Sequence, residues 1–325
     1  VTAQPPSDAA SGDSPETAAL ATHLAAVLEV ASIDHLVRLS GGASRETWRF
    51  VAGGAPLILQ RQRPGDVRNM ETEAEVLRRA GDQGAPVPEV LASGREDTGA
   101  QFIVTRSIDG ETIARKILRD EEFAHARRVL AGQLGAAAAR IHAIDPEGVT
   151  GLEYIDPLER YRTILDMFDE AHPAFELAFA WLEEHRPAVG EPTLVHGDFR
   201  LGNVIVGPDG LRAVLDWELA HLGDPMEDLG WLCVRAWRFG SEAPVAGIGA
   251  YEELFLAYEQ AGGRAVDPDV VRWWEVLGTV QWGVMCMIQA SAHLTGQVRS
   301  HELAAIGRRV CENEYDVFLA LEGYW

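Results

Sequence analysis

Apolar positions near the start of the chain recur at helical spacing. Leu20, Leu24, Val27 and Leu28 predict an amphipathic helix beginning at Glu16. The pattern then shortens to strand-like runs at Ile33 to Leu39, around Trp48 to Phe50, and at Leu57 to Arg61. A charged helix, Asn69 to Ala80, precedes two more strands, Val87 to Ala92 and Gln101 to Thr105, which complete a small antiparallel sheet. After Gly110 the reading is mainly helical: Glu121 to His142, Asp156 to Glu170 and Pro173 to Arg186, then Ile248 to Ala261, Pro268 to Ala292 and His301 to Leu321. Small residues from Gly135 to Ala139 suit close helix packing. The fold class predicted is α+β, a small antiparallel sheet followed by a larger helical part. Between Glu275 and Arg299 no Asp, Glu, Lys or Arg occurs, but Gln281, Gln289, Ser291, His293 and Gln297 interrupt the run, so a buried helix is expected rather than a membrane span.

Charge narrows the partners. The 325 residues carry a formal charge of −22, with a pI near 4.8. Such a chain repels nucleic acid and anionic membranes and attracts cations, although acidity also serves solubility. Cys233, Cys286 and Cys311 show neither metal spacing nor a disulfide pattern, which suits a reducing cytoplasm. Residues 1–15 are rich in Ala, Ser, Pro and Asp and read as a disordered tail, without the basic start of a signal peptide.

The candidate chemistry sits in Leu194 to Asn203, LVHGDFRLGN, and in Leu215-Asp216-Trp217-Glu218 twelve residues later. Gly197 lets the chain turn sharply, and Asp198 then projects a carboxylate. Asn203 and Asp216 offer hard oxygen ligands from the two sides of a hairpin, Val204 to Val206 and Leu211 to Leu215, closed by Gly207-Pro208-Asp209-Gly210. An acceptor for a hydroxyl proton, with one Asn and one Asp for Mg²⁺, is what phosphoryl transfer requires. The Asp-x₄-Asn spacing and the preceding His-Gly make the stretch resemble the HGDxxxxN loop of the aminoglycoside phosphotransferase and choline kinase superfamily. LDWELAHLGDPMEDLGW resembles, more narrowly, the branch associated with acyl-CoA dehydrogenases.

The resemblance implies a two-lobed protein-kinase-like fold, with residues 16–106 as the nucleotide-covering lobe and 107–325 as the catalytic and substrate-binding lobe. It implies ATP and Mg²⁺ as cofactors and a small-molecule hydroxyl as phosphate acceptor, of aminoglycoside, amino-alcohol or hydroxyacyl-CoA type. Asp198 would be catalytic, Asn203 and Asp216 would hold metal, and His196, Asp224 and Asp228 would support the loop. Gly41, Gly42 and Ser44 resemble the phosphate-covering turn, where the family often has Asn at the place of Arg45. Glu73 matches the helix glutamate that pairs with a phosphate-gripping cation, and Ser107 and Ile108 match the linker that holds adenine. Strand alternation lets only one of Gln60 and Arg61 face the nucleotide, and three intact catalytic residues favour Arg61. The acceptor is expected against the helices after residue 248 and the turn Trp217-Glu218. Arg235, with Arg238, could meet an anionic acceptor or serve as a surface ion-pair partner. Two rival readings are a non-catalytic nucleotide-binding module and a metal-dependent hydrolase using His196, Asp198, Asp216 and His221.

Overall fold

The computed structural model describes residues 15–39, 45–63, 66, 68–96, 98–188 and 190–323. The tail expected over 1–15 lies outside them except for Pro15, and so do Gly41, Gly42 and Ser44 of the expected phosphate loop. The chain forms two compact units. The first runs to Asp82 and adds Val87–Asp109 and Val149–Gly151; the second holds Gln83–Pro86, Gly110–Gly148 and the chain from Leu152 onward. Ser107 and Ile108 therefore belong to the first unit, where the Ser107 N–H donates to the Pro56 carbonyl at 3.0 Å.

The first unit contains helix α1 (Pro15–Val27), strands β1 (Ile33–Arg38), β2 (Arg45–Ala52) and β3 (Ala55–Gln62), helix α2 (Met70–Asp82), and strands β4 (Val90–Arg95) and β5 (Gln101–Arg106). The strands form one antiparallel sheet in the order β1-β2-β3-β5-β4. Alternation gives each face its own helix. Leu20 and Leu24 of α1 bury against Trp48, Phe50, Leu57, Leu59 and Phe102 on one face. Met70 and Ala74 of α2 bury against Ile103 on the other. β2 and β3 pair without a bulge, placing Glu46 opposite Arg61 and Arg45 opposite Gln62.

The second unit has helices α3 (Ala114–Arg119), α4 (Ala124–His142), α5 (Pro157–Asp166) and α6 (Pro173–Glu184), then strands β6 (Thr193–Val195), β7 (Val204–Gly207), β8 (Gly210–Val214) and β9 (His221–Gly223). Helices α7 (Met226–Cys233), α8 (Tyr251–Gln260), α9 (Pro268–Leu294), α10 (His301–Ile306) and α11 (Val310–Leu321) complete it. β6 pairs with β9, and β7 with β8, as two short ladders. Gly135 allows α4 to lie on α8, because a Cβ there would come within 2.4 Å of the Leu254 carbonyl oxygen. Helix α9, which carries no Asp, Glu, Lys or Arg after Glu275, buries Trp273, Val276, Leu277, Val280 and Val284. No helix among the described residues is long and apolar enough to cross a membrane. The helix expected from Ile248 starts three residues later, since Val245 and Gly249 bridge and Ala246 and Gly247 hold positive φ. The helix expected over 301–321 is broken by a 3₁₀ turn at Gly307–Arg309.

Candidate active site

The catalytic loop leaves β6 and closes through its own backbone. Gly197 has φ +79°, and a Cβ on it would lie 2.4 Å from the Leu219 carbonyl oxygen, so only glycine fits. His196 is fully buried, and its Nε2–H donates to the Leu215 carbonyl at 2.9 Å. Its Nδ1 accepts the Asp198 N–H at 3.2 Å. That pattern requires the neutral imidazole, and burial lowers its pKa accordingly. His196 thus ties Asp198 to the residue just before Asp216.

Asp228, in the first turn of α7, carries the loop from beneath. Its carboxylate accepts the His196 N–H at 2.7 Å and the Gly197 N–H at 3.0 Å. The His142 Nε2 meets the same carboxylate at 3.0 Å, and the Tyr258 hydroxyl meets His142 Nδ1 at 2.9 Å. Burial alone would raise the pKa of Asp228, but the hydrogen bond and attraction from His142 outweigh it and hold Asp228 below the usual carboxylate range. Asp224 caps the same turn, accepting the Met226 N–H at 2.9 Å.

Three side chains fix the Asp198 carboxylate. Arg200 Nε donates to Oδ1 at 2.9 Å, and Trp231 Nε1 donates to the same oxygen at 2.8 Å. Asn203 Nδ2 donates to Oδ2 at 2.6 Å and to the Asp198 carbonyl at 3.0 Å. With its nitrogen so engaged, Asn203 offers its amide oxygen to a cation. The Leu215 N–H donates to the Asn203 carbonyl at 2.8 Å, which sets Asp216 beside Asn203 across the hairpin. Asp216 itself has φ +64°, a conformation uncommon outside glycine and frequent at functional sites. Asn203 and Asp216 together make an all-oxygen donor set of the kind Mg²⁺ takes.

The histidines of the hydrolase reading are committed elsewhere. His196 uses both ring nitrogens as above. His221 places Nδ1 2.8 Å from the Leu219 carbonyl oxygen and Nε2 3.3 Å from the Glu227 carboxylate.

In the first unit the sequence expectation for Arg61 is corrected. Arg61 lies on the α1 face, where it meets Glu96 at 2.8 Å and Glu46 at 3.4 Å, and it does not reach Glu73. The regular β2–β3 register puts Arg61 with Glu46 and leaves Gln60 on the α2 face. Glu73 instead pairs with Arg45 at 2.6 Å, the two side chains 4% and 5% exposed. The cation comes from β2, one strand earlier than expected.

Of the weaker acceptor candidates, Trp217 is closed off and Arg235 takes the ion-pair role that the sequence allowed. Trp217 is 1% exposed, donates its indole N–H to the Val214 carbonyl at 3.2 Å and packs on His196 at 4.8 Å between centroids. It supports the loop and is closed to a substrate; Glu218 beside it is half-buried. Arg235 pairs with Asp316 at 3.2 Å and lines a pocket. Arg45, Arg200, Trp231 and His142 were missed from sequence. Only Trp231 had a signal, as the aromatic ending the segment DPMEDLGW.

The sequence profile of the phosphotransferase enzyme family matches residues 35–274. The mouse (Mus musculus) acyl-CoA dehydrogenase family member 10 is 28% identical over 267 residues, covering 74% of this chain. The chain spans only 24% of that relative's length. Among solved structures, a Ralstonia eutropha protein described provisionally as an aminoglycoside phosphotransferase superposes with a TM-score of 0.71 at 22% identity, covering 89% of this chain and 92% of that one. A thermostable aminoglycoside phosphotransferase variant solved with AMP-PNP and hygromycin B gives 0.64 at 17% identity, covering 94% and 99%. These neighbours share the kinase-like fold, and the profile match spans most of the sequence: the chain belongs to the phosphotransferase enzyme family.

Proposed function

We propose that the protein is an ATP- and Mg²⁺-dependent kinase that phosphorylates a hydroxyl group of a small molecule. The observation that carries this is Asp198 bonded to Asn203 at 2.6 Å on a loop held by His196 and Asp228, with Asp216 following Leu215, whose backbone meets both Asn203 and His196. Asn203 and Asp216 would hold the metal, which when bound neutralises charge on the transferred phosphoryl group. Asp198 does the chain's own share of the chemistry. It orients the acceptor hydroxyl and takes its proton as the new phosphorus–oxygen bond forms and ADP leaves. Arg200, Trp231 and Asn203 fix its rotamer beforehand, so little reorganisation is required in the transition state. In the first unit the buried Arg45–Glu73 pair supplies the cation for the nucleotide phosphates.

The relatives support two acceptor classes. One is the polycationic type named by hygromycin B, and the other is the hydroxyacyl-CoA type to which the acyl-CoA dehydrogenase relative points. ADP formation measured against hydroxyacyl-CoAs, amino alcohols and aminoglycosides tests the reading. Asp198→Asn is expected to lower turnover by at least about a thousandfold while leaving folding and nucleotide affinity in place. Near wild-type turnover would remove Asp198 from its role. Nucleotide binding without turnover on any acceptor would make the chain a binding module.

A further inference from the structure

Within the second unit a pocket of about 590 Å³ gathers three guanidinium groups from three separate elements. Arg115 comes from α3, Arg235 from the 3₁₀ turn Arg235–Trp237, and Arg309 from the turn Gly307–Arg309. The acidic residues on its wall are Glu312 and Asp316, with Tyr315 beside them. In a chain where 50 acidic residues face 28 basic ones, a pocket with more cations than carboxylates runs against the overall charge.

The two ion pairs leave the arginines able to bind. Arg235 meets Asp316 through Nε at 3.2 Å, and Arg309 meets Glu312 through Nε at 3.1 Å. Each retains its terminal nitrogens, the ends of the fork that grips an oxyanion. Arg115 is exposed and makes no ion pair with any described residue.

The pocket is joined to the catalytic loop by contacts. Arg200, which holds Asp198, places its guanidinium 4.8 Å over the ring of Trp237, in the same short turn as Arg235. Trp237 packs on Trp282 at 4.8 Å between centroids, and Arg309 lies 5.7 Å over Trp282. The wall of the pocket is thus continuous with the support of Asp198.

We propose that this pocket seats an oxyanion, a carboxylate or a phosphate, carried by the phosphate acceptor. The acceptor is then an acidic alcohol, not a polycation. This rests on the kinase reading for the word acceptor, but anion binding at the three arginines can be measured without turnover.

The test is calorimetry on the full chain, without Mg²⁺ and with ADP present, titrating inorganic pyrophosphate, citrate and spermidine separately. Saturable binding of pyrophosphate, of citrate or of both is expected, and whichever binds tighter separates a phosphate site from a carboxylate site. Arg115→Gln and Arg309→Gln should each weaken that binding by about tenfold or more, the loss of one charge-assisted hydrogen bond. Arg106→Gln, at an exposed arginine at the end of β5 in the first unit, should not change it. For any alcohol that is turned over, Arg115→Gln should raise KM by about tenfold and leave kcat within about threefold. The inference is overturned if the arginine variants bind the anions like wild type, if spermidine binds where both anions fail, or if none of the three binds. Failure of the kinase reading would show separately, as no ADP formation in a protein whose arginine-dependent anion binding is intact.

Discussion

Arg45 and Arg61 stand on neighbouring strands, and the pleat decides which of them meets Glu73. Arg45 shares the α2 face with Gln62 and meets Glu73, whereas Arg61 is held among acids on the α1 face. A buried ion pair costs desolvation and is weak support for stability. Removing one partner leaves a buried charge, and Arg45→Ala should cost about 3–5 kcal/mol. The double variant Arg45→Met with Glu73→Leu should fold nearly as well as wild type yet bind ATP at least about tenfold more weakly. Arg61→Ala should leave ATP affinity unchanged. Calorimetry on the two variants decides, and equal losses would return Arg61 to the site. At Asp198 the telling residue is Trp231. Trp231→Phe keeps an aromatic ring against Trp237, 5.2 Å away between centroids, but removes the donor to Asp198 Oδ1. A fall in kcat of about tenfold with KM unchanged is expected, corresponding to one hydrogen bond. An unchanged kcat would reduce Trp231 to packing.

At the scale of elements, the strand β9 and helix α7 decide how firmly the catalytic loop is held. Burial alone would lower the pKa of His221 in β9, but the hydrogen bond and charge of Glu227 and the Leu219 carbonyl push it up to about 9. Nδ1 lies by the Leu219 carbonyl and Nε2 by the Glu227 carboxylate, an arrangement that the imidazolium satisfies. A folded-state pKa above the unfolded value near 6.5 stabilises the fold fully below pH 6.5, and that contribution is lost as pH rises through 9. Denaturant unfolding should therefore show a decline of at most about 3 kcal/mol over that window, absent in His221→Gln. A variant with the same slope as wild type would place the titration elsewhere. These elements also show why the sequence was uneven as a guide. The hairpin and the Asp198, Asn203 and Asp216 spacing were legible because both are local: turn residues and offsets within twenty-odd positions. The Arg45–Glu73 pair was not, since it depends on the face each strand presents, and Leu57, Leu59, Arg61 alternate alike for a core-facing or a cleft-facing row. Trp217 looked available beside Asp216, but its neighbours in space are His196 and Val214, contacts that only the folded loop creates.

For the molecule as a whole the net charge of −22 governs the response to salt. Like charges spread over a surface repel one another, and folding brings them closer than the extended chain does. At 0.1 M salt the Debye length is about 10 Å, so this long-range repulsion is screened while contacts inside the fold are not. Buried ion pairs belong to the second kind: Arg45 with Glu73, His142 with Asp228, and Arg238 with Glu275 at 2.5 Å all have side chains no more than 5% exposed. Exposed pairs such as Arg162 with Glu176 and Arg106 with Glu89 pull the other way, because salt weakens them, but each contributes at most about 1 kcal/mol. The repulsion of a large charge excess should outweigh them. Raising NaCl from 10 to 150 mM at pH 7.5 is expected to increase Tm by a few degrees, the size of shift that about 1 kcal/mol produces in a chain of this length or somewhat shorter. Potassium chloride should act alike, since screening depends on ionic strength and not on the cation's identity. A Tm that falls with salt would show that surface ion pairs dominate. A rise confined to MgCl₂ would point instead to metal taken up at Asn203 and Asp216, which stabilises by binding and not by screening.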